Sequence, residues 1–141
     1  MEKYKLLDHT SDIRVEVWGK TRKELFGNAV AAMFDVMIDC PSEEKTKPLE
    51  EKTVKINGND LEDTLINFLR EALYLFNGKG WLIKSCEPLE LTGRSVVARV
   101  QGEPYNRQKN PLITEIKAVT YHGLIINKSK KCWQAKVVFD V

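Results

Sequence analysis

From Ile13 to Trp18 apolar and polar residues alternate: Ile13, Val15 and Val17 fall on one side, Asp12, Arg14 and Glu16 on the other. A period of two marks a half-buried strand. Gly19-Lys20 turns the chain, and Thr21-Arg22-Lys23-Glu24 has the capping-box pattern, with Thr21 as the cap and Glu24 at the third helical position. The spacing then becomes helical through Leu25, Phe26, Ala29, Val30, Met33 and Met37, and Cys40-Pro41-Ser42 is expected to end that helix. Glu43 to Lys52 is dense in charge and reads as a solvated loop. Thr53 to Asn57 is a second strand, closed by Gly58. Asn59 or Asp60 caps a second helix with Leu61, Leu65, Phe68, Leu69, Ala72 and Phe76 on its apolar face, and Asn77-Gly78 stops it.

Beyond Gly80 the pattern returns to strands: Trp81 to Ser85, Leu89 to Leu91, Val96 to Val100, Ile116 to Tyr121 and Trp133 to Phe139. Gly93-Arg94 and Lys128 to Lys131 read as hairpin turns. Glu103 to Leu112, with Pro104 and Pro111, reads as a long loop of the kind that often carries function. The order strand, helix, strand, helix and then several strands predicts an α+β fold. Two helices should pack on a mixed, largely antiparallel β-sheet in a single domain spanning residues 1–141.

Composition narrows the function classes. A chain of 141 residues with 43% hydrophobic content suits one core. The net charge is only +2, with Lys and Arg interspersed among Asp and Glu, so bulk charge makes no case for nucleic acid. No apolar run approaches the roughly 18–20 residues of a bilayer span, and Met1 to Lys5 has no signal-type segment. A cytoplasmic protein without membrane contact is expected. Cys40, Cys86 and Cys132 are odd in number and far apart, and read as reduced thiols. No P-loop, dinucleotide fingerprint or GxSxG is present. Trp18, Trp81, Trp133 and Tyr121 are spread over strands and suit sheet packing better than an RNA-stacking platform.

The candidate chemistry lies at the two ends. Asp8-His9-Thr10-Ser11-Asp12 precedes the first alternating strand, and Asp140 stands next to Val141 at the end of the last one. If those strands are neighbours, Asp12 and Asp140 meet on the side away from the apolar rows. Carboxylates held close repel one another unless something positive sits between them. Asp12, Asp140 and an α-carboxylate at Val141 would make an all-oxygen site for calcium, magnesium or manganese, with Asp8 or His9 to complete it. Spacing alone equally allows Asp8 and Asp12 to be solvated or capping residues and Asp140 a frayed end. Glu115, Lys117, Val119 and Tyr121 are expected on one strand face. There Glu115 and Lys117 either form a surface ion pair or leave Lys117 aimed at a phosphate or a partner's acid. His122 precedes Gly123 as a turn or strand-end residue, and with His9 as the one other histidine nothing local supports a zinc pair.

Taken together, these residues resemble the archease family. Asp8-His9-Thr10-Ser11-Asp12 is similar to its N-terminal motif, Glu115-Ile116-Lys117-Ala118-Val119-Thr120-Tyr121-His122 to its second signature, and Phe139-Asp140-Val141 to its third. Gly19-Lys20-Thr21, Glu24-Leu25-Phe26, Asn28-Ala29 and the run Asn67 to Phe76 are also similar, so the resemblance covers nearly the whole chain. It implies an α+β fold and a non-catalytic accessory protein of an RtcB-type RNA ligase in tRNA splicing. That ligase joins a cyclic-phosphate or 3′-phosphate end to a 5′-hydroxyl through a guanylylated histidine, using manganese and GTP. The accessory protein promotes guanylylation and multiple turnover. By the same resemblance one divalent cation (calcium, magnesium or manganese) is held by Asp12 and Asp140, with Val141 as third ligand. Asp8, His9, Glu115 and Lys117 are candidate functional contacts. GTP is used by the ligase rather than bound by this chain alone, and RNA is met only through the ligase. The chain departs from the family in one loop: Lys109 stands where a Lys-His pair is usual, no histidine follows it, and Ile113 precedes Thr114-Glu115. Two other readings stay open. One is a stand-alone metal-dependent phosphohydrolase with His9 as base, the other a chaperone-like binding module for RNA-processing proteins.

Overall fold

The computed structural model describes residues 2–7, 12–39 and 49–141. Its elements run β1 (Tyr4–Leu7), β2 (Asp12–Gly19), α1 (Arg22–Met37), β3 (Glu50–Asn57), α2 (Leu61–Asn77), β4 (Trp81–Leu91), β5 (Ser95–Pro104), β6 (Ala118–Lys128) and β7 (Trp133–Asp140). Every pairing is antiparallel. The strands divide into a four-stranded sheet, order β1-β2-β7-β6, and a three-stranded sheet, order β3-β5-β4. The expected α+β fold, two helices packed on antiparallel strands, is what the chain adopts, with the strands in two antiparallel sheets rather than the one mixed sheet expected.

Local chemistry explains the elements. Thr21 caps α1 by accepting the Glu24 N–H at 3.0 Å, and Asp60 caps α2 by accepting the Asp63 N–H at 2.7 Å. In α1 the consecutive residues Ala32, Met33 and Phe34 are all buried. Three neighbours on a helix point in three directions, so α1 is covered on more than one side. It packs against β2 and β7 of one sheet and against β4 of the other. The core is one cluster that includes both helices and both sheets. Phe26 meets Phe68 at 5.9 Å between ring centroids, and Phe34 meets Phe76 edge-on at 6.0 Å, which locks α1 to α2.

Several boundaries differ from expectation. Tyr4-Lys5-Leu6-Leu7, which lacks clean alternation, forms β1 by pairing with β2. Helix α1 ends at Met37, because Ile38 turns extended and bridges to Leu112; Cys40-Pro41-Ser42 lies outside the described residues. Of the charged stretch Glu43 to Lys52, residues 43–48 also lie outside them, whereas Glu50, Glu51 and Lys52 begin β3 rather than a loop. Their charges are accommodated across strands: Glu51 lies 3.7 Å from the Arg99 guanidinium and Lys52 sits 4.6 Å over the Trp81 ring. The two segments 81–85 and 89–91 are one strand, β4, with irregularities at Ile83/Ser85 and Pro88/Glu90. Pro88 is tolerated because β4 is an edge strand. Part of the expected long loop, Glu103-Pro104, is the end of β5.

Glu115 to Lys117 are not in a strand, so the expected common face of Glu115, Lys117, Val119 and Tyr121 does not exist. Ile116 and Val119 are both buried at a spacing of three, which a flat strand cannot do. Strand β6 starts at Ala118 and pairs with β7 as far as Thr120. It bulges through Tyr121 to Leu124 and resumes pairing at Ile125. Gly123, with φ of +75°, supplies the left-handed residue that the bulge needs.

Candidate cation site and the groove beside it

Strand β7 lies between β2 and β6, so its side chains are flanked on both sides. The buried rungs Ile13–Phe139, Val15–Val137 and Val17–Ala135 put one face of this sheet against the core. The opposite face follows from them. There Glu16 faces Lys136, with their charges 3.9 Å apart; Arg14 faces Val138; and Asp12 faces Asp140. The first rung matches opposite charges and the second sets a cation against an apolar residue. The third sets two carboxylates directly opposite one another, an arrangement that destabilises a sheet on its own. On the β6 side the same rung is filled by Ala118, which brings no charge.

The backbone at this rung is fixed. Lys117 donates its N–H to the Asp140 carbonyl at 2.7 Å, and the Val141 side chain packs against the core. A frayed end is therefore not what Asp140 experiences. The positive group close to the carboxylates is Arg14, from the neighbouring polar rung, whose Nε lies 3.6 Å from Asp12 Oδ1. The Arg14 side chain is half exposed while that of Asp12 is 22% exposed, so the pair is only partly shielded from water. Directly opposed aspartates have Cβ atoms roughly 4.5–5.5 Å apart, and hard cations take carboxylate oxygens at about 2.0–2.6 Å. Both carboxylates could thus reach one hard divalent cation, supplying two of the six or more oxygens such an ion takes. Among the described residues no group of three or more His, Cys, Asp and Glu converges. Asp8 and His9 lie outside the described residues.

Lys117 is joined to Asp140 through its backbone, but its side chain belongs elsewhere. With Arg70, Tyr74, Asn77 and Val119 it lines an open groove of about 440 Å³ between α2 and the start of β6. Two side chains of α2 hold this seam. Arg70 Nε donates to the Val119 carbonyl at 3.1 Å, and Asn77 Nδ2 donates to the Ile116 carbonyl at 3.1 Å. The Arg70 guanidinium also lies 4.7 Å over the Tyr121 ring, whose hydroxyl donates to Asp63 Oδ1. That hydrogen bond, with a second from the Asn59 N–H, holds the Asp63 carboxyl below the usual carboxylate range; the same bond pushes the Tyr121 hydroxyl up. Glu115 is exposed before buried Ile116, and His122 is exposed in the bulge with its N–H bonded to Thr120 Oγ1 at 3.1 Å. Sequence reasoning missed Arg14 and the Asp63–Arg70–Tyr121 cluster. Arg14 was within reach, since it shares the polar phase of β2 with Asp12. The cluster joins residues more than fifty positions apart and has no local signal.

Comparison with known proteins matches the chain to a family. The model of the archease protein family matches residues 4–141. The chain is similar to the archease of Methanosarcina mazei, at 40% identity over 99% of this chain and 97% of that protein. It is similar to the archease-like protein of Drosophila melanogaster at 34% identity, over 99% and 90% respectively. Among solved structures it is similar to the solution structure of Methanobacterium thermoautotrophicum protein 1598, with a TM-score of 0.79, 27% identity and 100% of both chains covered. It is also similar to a Thermotoga maritima archease described as a possible chaperone, with a TM-score of 0.63, 26% identity and 97% and 96% coverage.

Proposed function

We propose that this chain, which belongs to the archease family, is a non-catalytic, cation-binding accessory protein of an RtcB-type RNA ligase, acting in the cytoplasm in tRNA splicing or RNA repair. The observation that carries the reading is the rung that opposes Asp12 to Asp140. Asp12 and Asp140 are the proposed ligands of calcium, magnesium or manganese, with Val141 as the third. When bound, such a cation offers positive charge to a partner's anionic groups. The chain's own residues do the rest. Strands β2 and β7 hold the two carboxylates in fixed register. Lys117, tied to Asp140 by its amide, lines the adjoining groove. GTP and the RNA ends are taken by the ligase.

An accessory protein of this kind promotes guanylylation and turnover by binding one ligase conformation better than another, and a differential of a few kcal/mol suffices. The test is multiple-turnover joining of cyclic-phosphate and 5′-hydroxyl RNA ends by the cognate ligase, at substoichiometric ligase, with and without this protein. Acceleration that saturates with added protein is expected. An unchanged rate refutes the proposal, and joining or phosphate release by this protein alone establishes the phosphohydrolase reading instead. A chaperone-like module would raise the yield of active ligase during refolding and leave turnover of folded ligase unaltered.

A further inference from the structure

The strands that bring Asp12 and Asp140 together at one end gather a different chemistry at the other. Gly19, Trp133 and Lys128 form a single rung across β2, β7 and β6. The β2–α1 turn therefore lies beside the β6–β7 hairpin. The turn carries Lys20, Arg22 and Lys23, and the hairpin carries Lys128, Lys130 and Lys131. None of the six forms an ion pair with a described residue, and all but Arg22 are exposed. The hairpin turn is closed by the Ser129 N–H, which donates to the Cys132 carbonyl at 2.9 Å and leaves Lys130 and Lys131 at the tip. Arg22 and Lys128 both lie over the Trp133 ring, at 5.9 and 5.4 Å, so one aromatic ring joins the two cation groups. The N-terminus of α1 adds its partial positive charge, against the single carboxylate of Glu24 in its first turn.

We propose that this cationic end of the four-stranded sheet contacts the phosphodiester backbone of an RNA strand directly. Five of the six groups are lysines, strongly hydrated point charges that suit dispersed phosphates. Protein interfaces are depleted in lysine and built around apolar anchors, and this patch has no fully exposed one. The choice of RNA over DNA rests on the ligase reading above. The surface does not, for it stands at the opposite end of the strands from the aspartate pair.

The test is fluorescence anisotropy of a labelled single-stranded RNA with the isolated full chain over a range of salt. With about six phosphate contacts, affinity for a single strand should fall roughly 300-fold between about 50 and 200 mM salt. Replacing Lys130 and Lys131 by alanine should lower the salt slope by about 1.4, at roughly 0.7 per contact. The matched loss of charge in Lys55→Ala with Arg94→Ala, on the other sheet, should leave the slope unchanged. Circular dichroism confirms that each variant is folded. Absence of binding at low salt, or an equal loss in the control variant, overturns the proposal. So does equally tight binding of an oligoglutamate of the same charge, which would mark an acidic protein surface. Ligase activation is measured separately, so either inference can fail without the other.

Discussion

Asp140→Asn should change the sign of its effect on stability with the presence of a cation. The substitution keeps the shape of the side chain and removes one charge from the Asp12–Asp140 rung. At about 5 Å two like charges in water repel by about 0.8 kcal/mol, within the roughly 0.2–1 kcal/mol range of cross-strand pairs. Arg14, 3.6 Å from Asp12, offsets part of this. Without divalent cations the variant should therefore be more stable by about 0.5 kcal/mol, a rise in melting temperature of roughly 2 °C for a chain of this size. The new amide can also donate to Asp12, in the same direction. With calcium or manganese at about 100 times its dissociation constant, the wild type gains about 2.7 kcal/mol, roughly 8 °C, and the variant loses most of that gain. The assay is thermal unfolding of both proteins in chelator and in a cation series, with calorimetric titration for the dissociation constants. A variant that melts below the wild type in chelator would show that the two carboxylates do not repel. A wild type whose melting temperature ignores every hard divalent cation would refute the site.

Other outcomes test the remaining chemistry. Tyr121→Phe should move the Asp63 carboxyl titration upward in an NMR pH series, because the Tyr121 hydrogen bond is the largest cause of its lowering; stability from this depressed group is present above its unfolded pKa and lost as pH falls through the folded value, and the variant should weaken that acid-side dependence while the Asn59 N–H and Arg70 sustain the rest. The Cys86 thiol, pushed by burial up to about 12, should resist alkylation at pH 8 in folded protein. The unfolded thiol ionises first, so its contribution to stability is intact below about pH 9 and declines toward about pH 12, a slope that Cys86→Ser reduces. Phe26→Ala removes a fully buried ring packed on Phe68 and should cost about 3–5 kcal/mol in urea unfolding.

The meeting of Asp12 and Asp140 was legible in part. Alternation put each on the polar phase of its strand, and the two strands needed only to be neighbours in a register that matched Val15 to Val137. What alternation cannot supply is that register, which the core settles by pairing apolar rows. The placement of Lys117 was not legible in a strand pattern, although the three-residue spacing of Ile116 and Val119 already contradicts one. The Arg70–Tyr121–Asp63 cluster and the cationic end were hidden for a common reason. Each joins segments distant in the chain, so the residues carry no shared periodicity, and net charge averages the cations away.

The position of β7 at the centre of its sheet also sets an order in time. Its partner β2 lies near the start of the chain, so their pairing closes a loop of almost the full sequence, the costliest kind of contact to make early. During synthesis β1 and β2 must wait, with an open strand edge, until residues 133–140 have been made. The two carboxylates consequently have no fixed relation to each other until that closure is complete. A cation could not template the early steps. It would instead select finished molecules, so that occupancy of the rung reports completion of the fold.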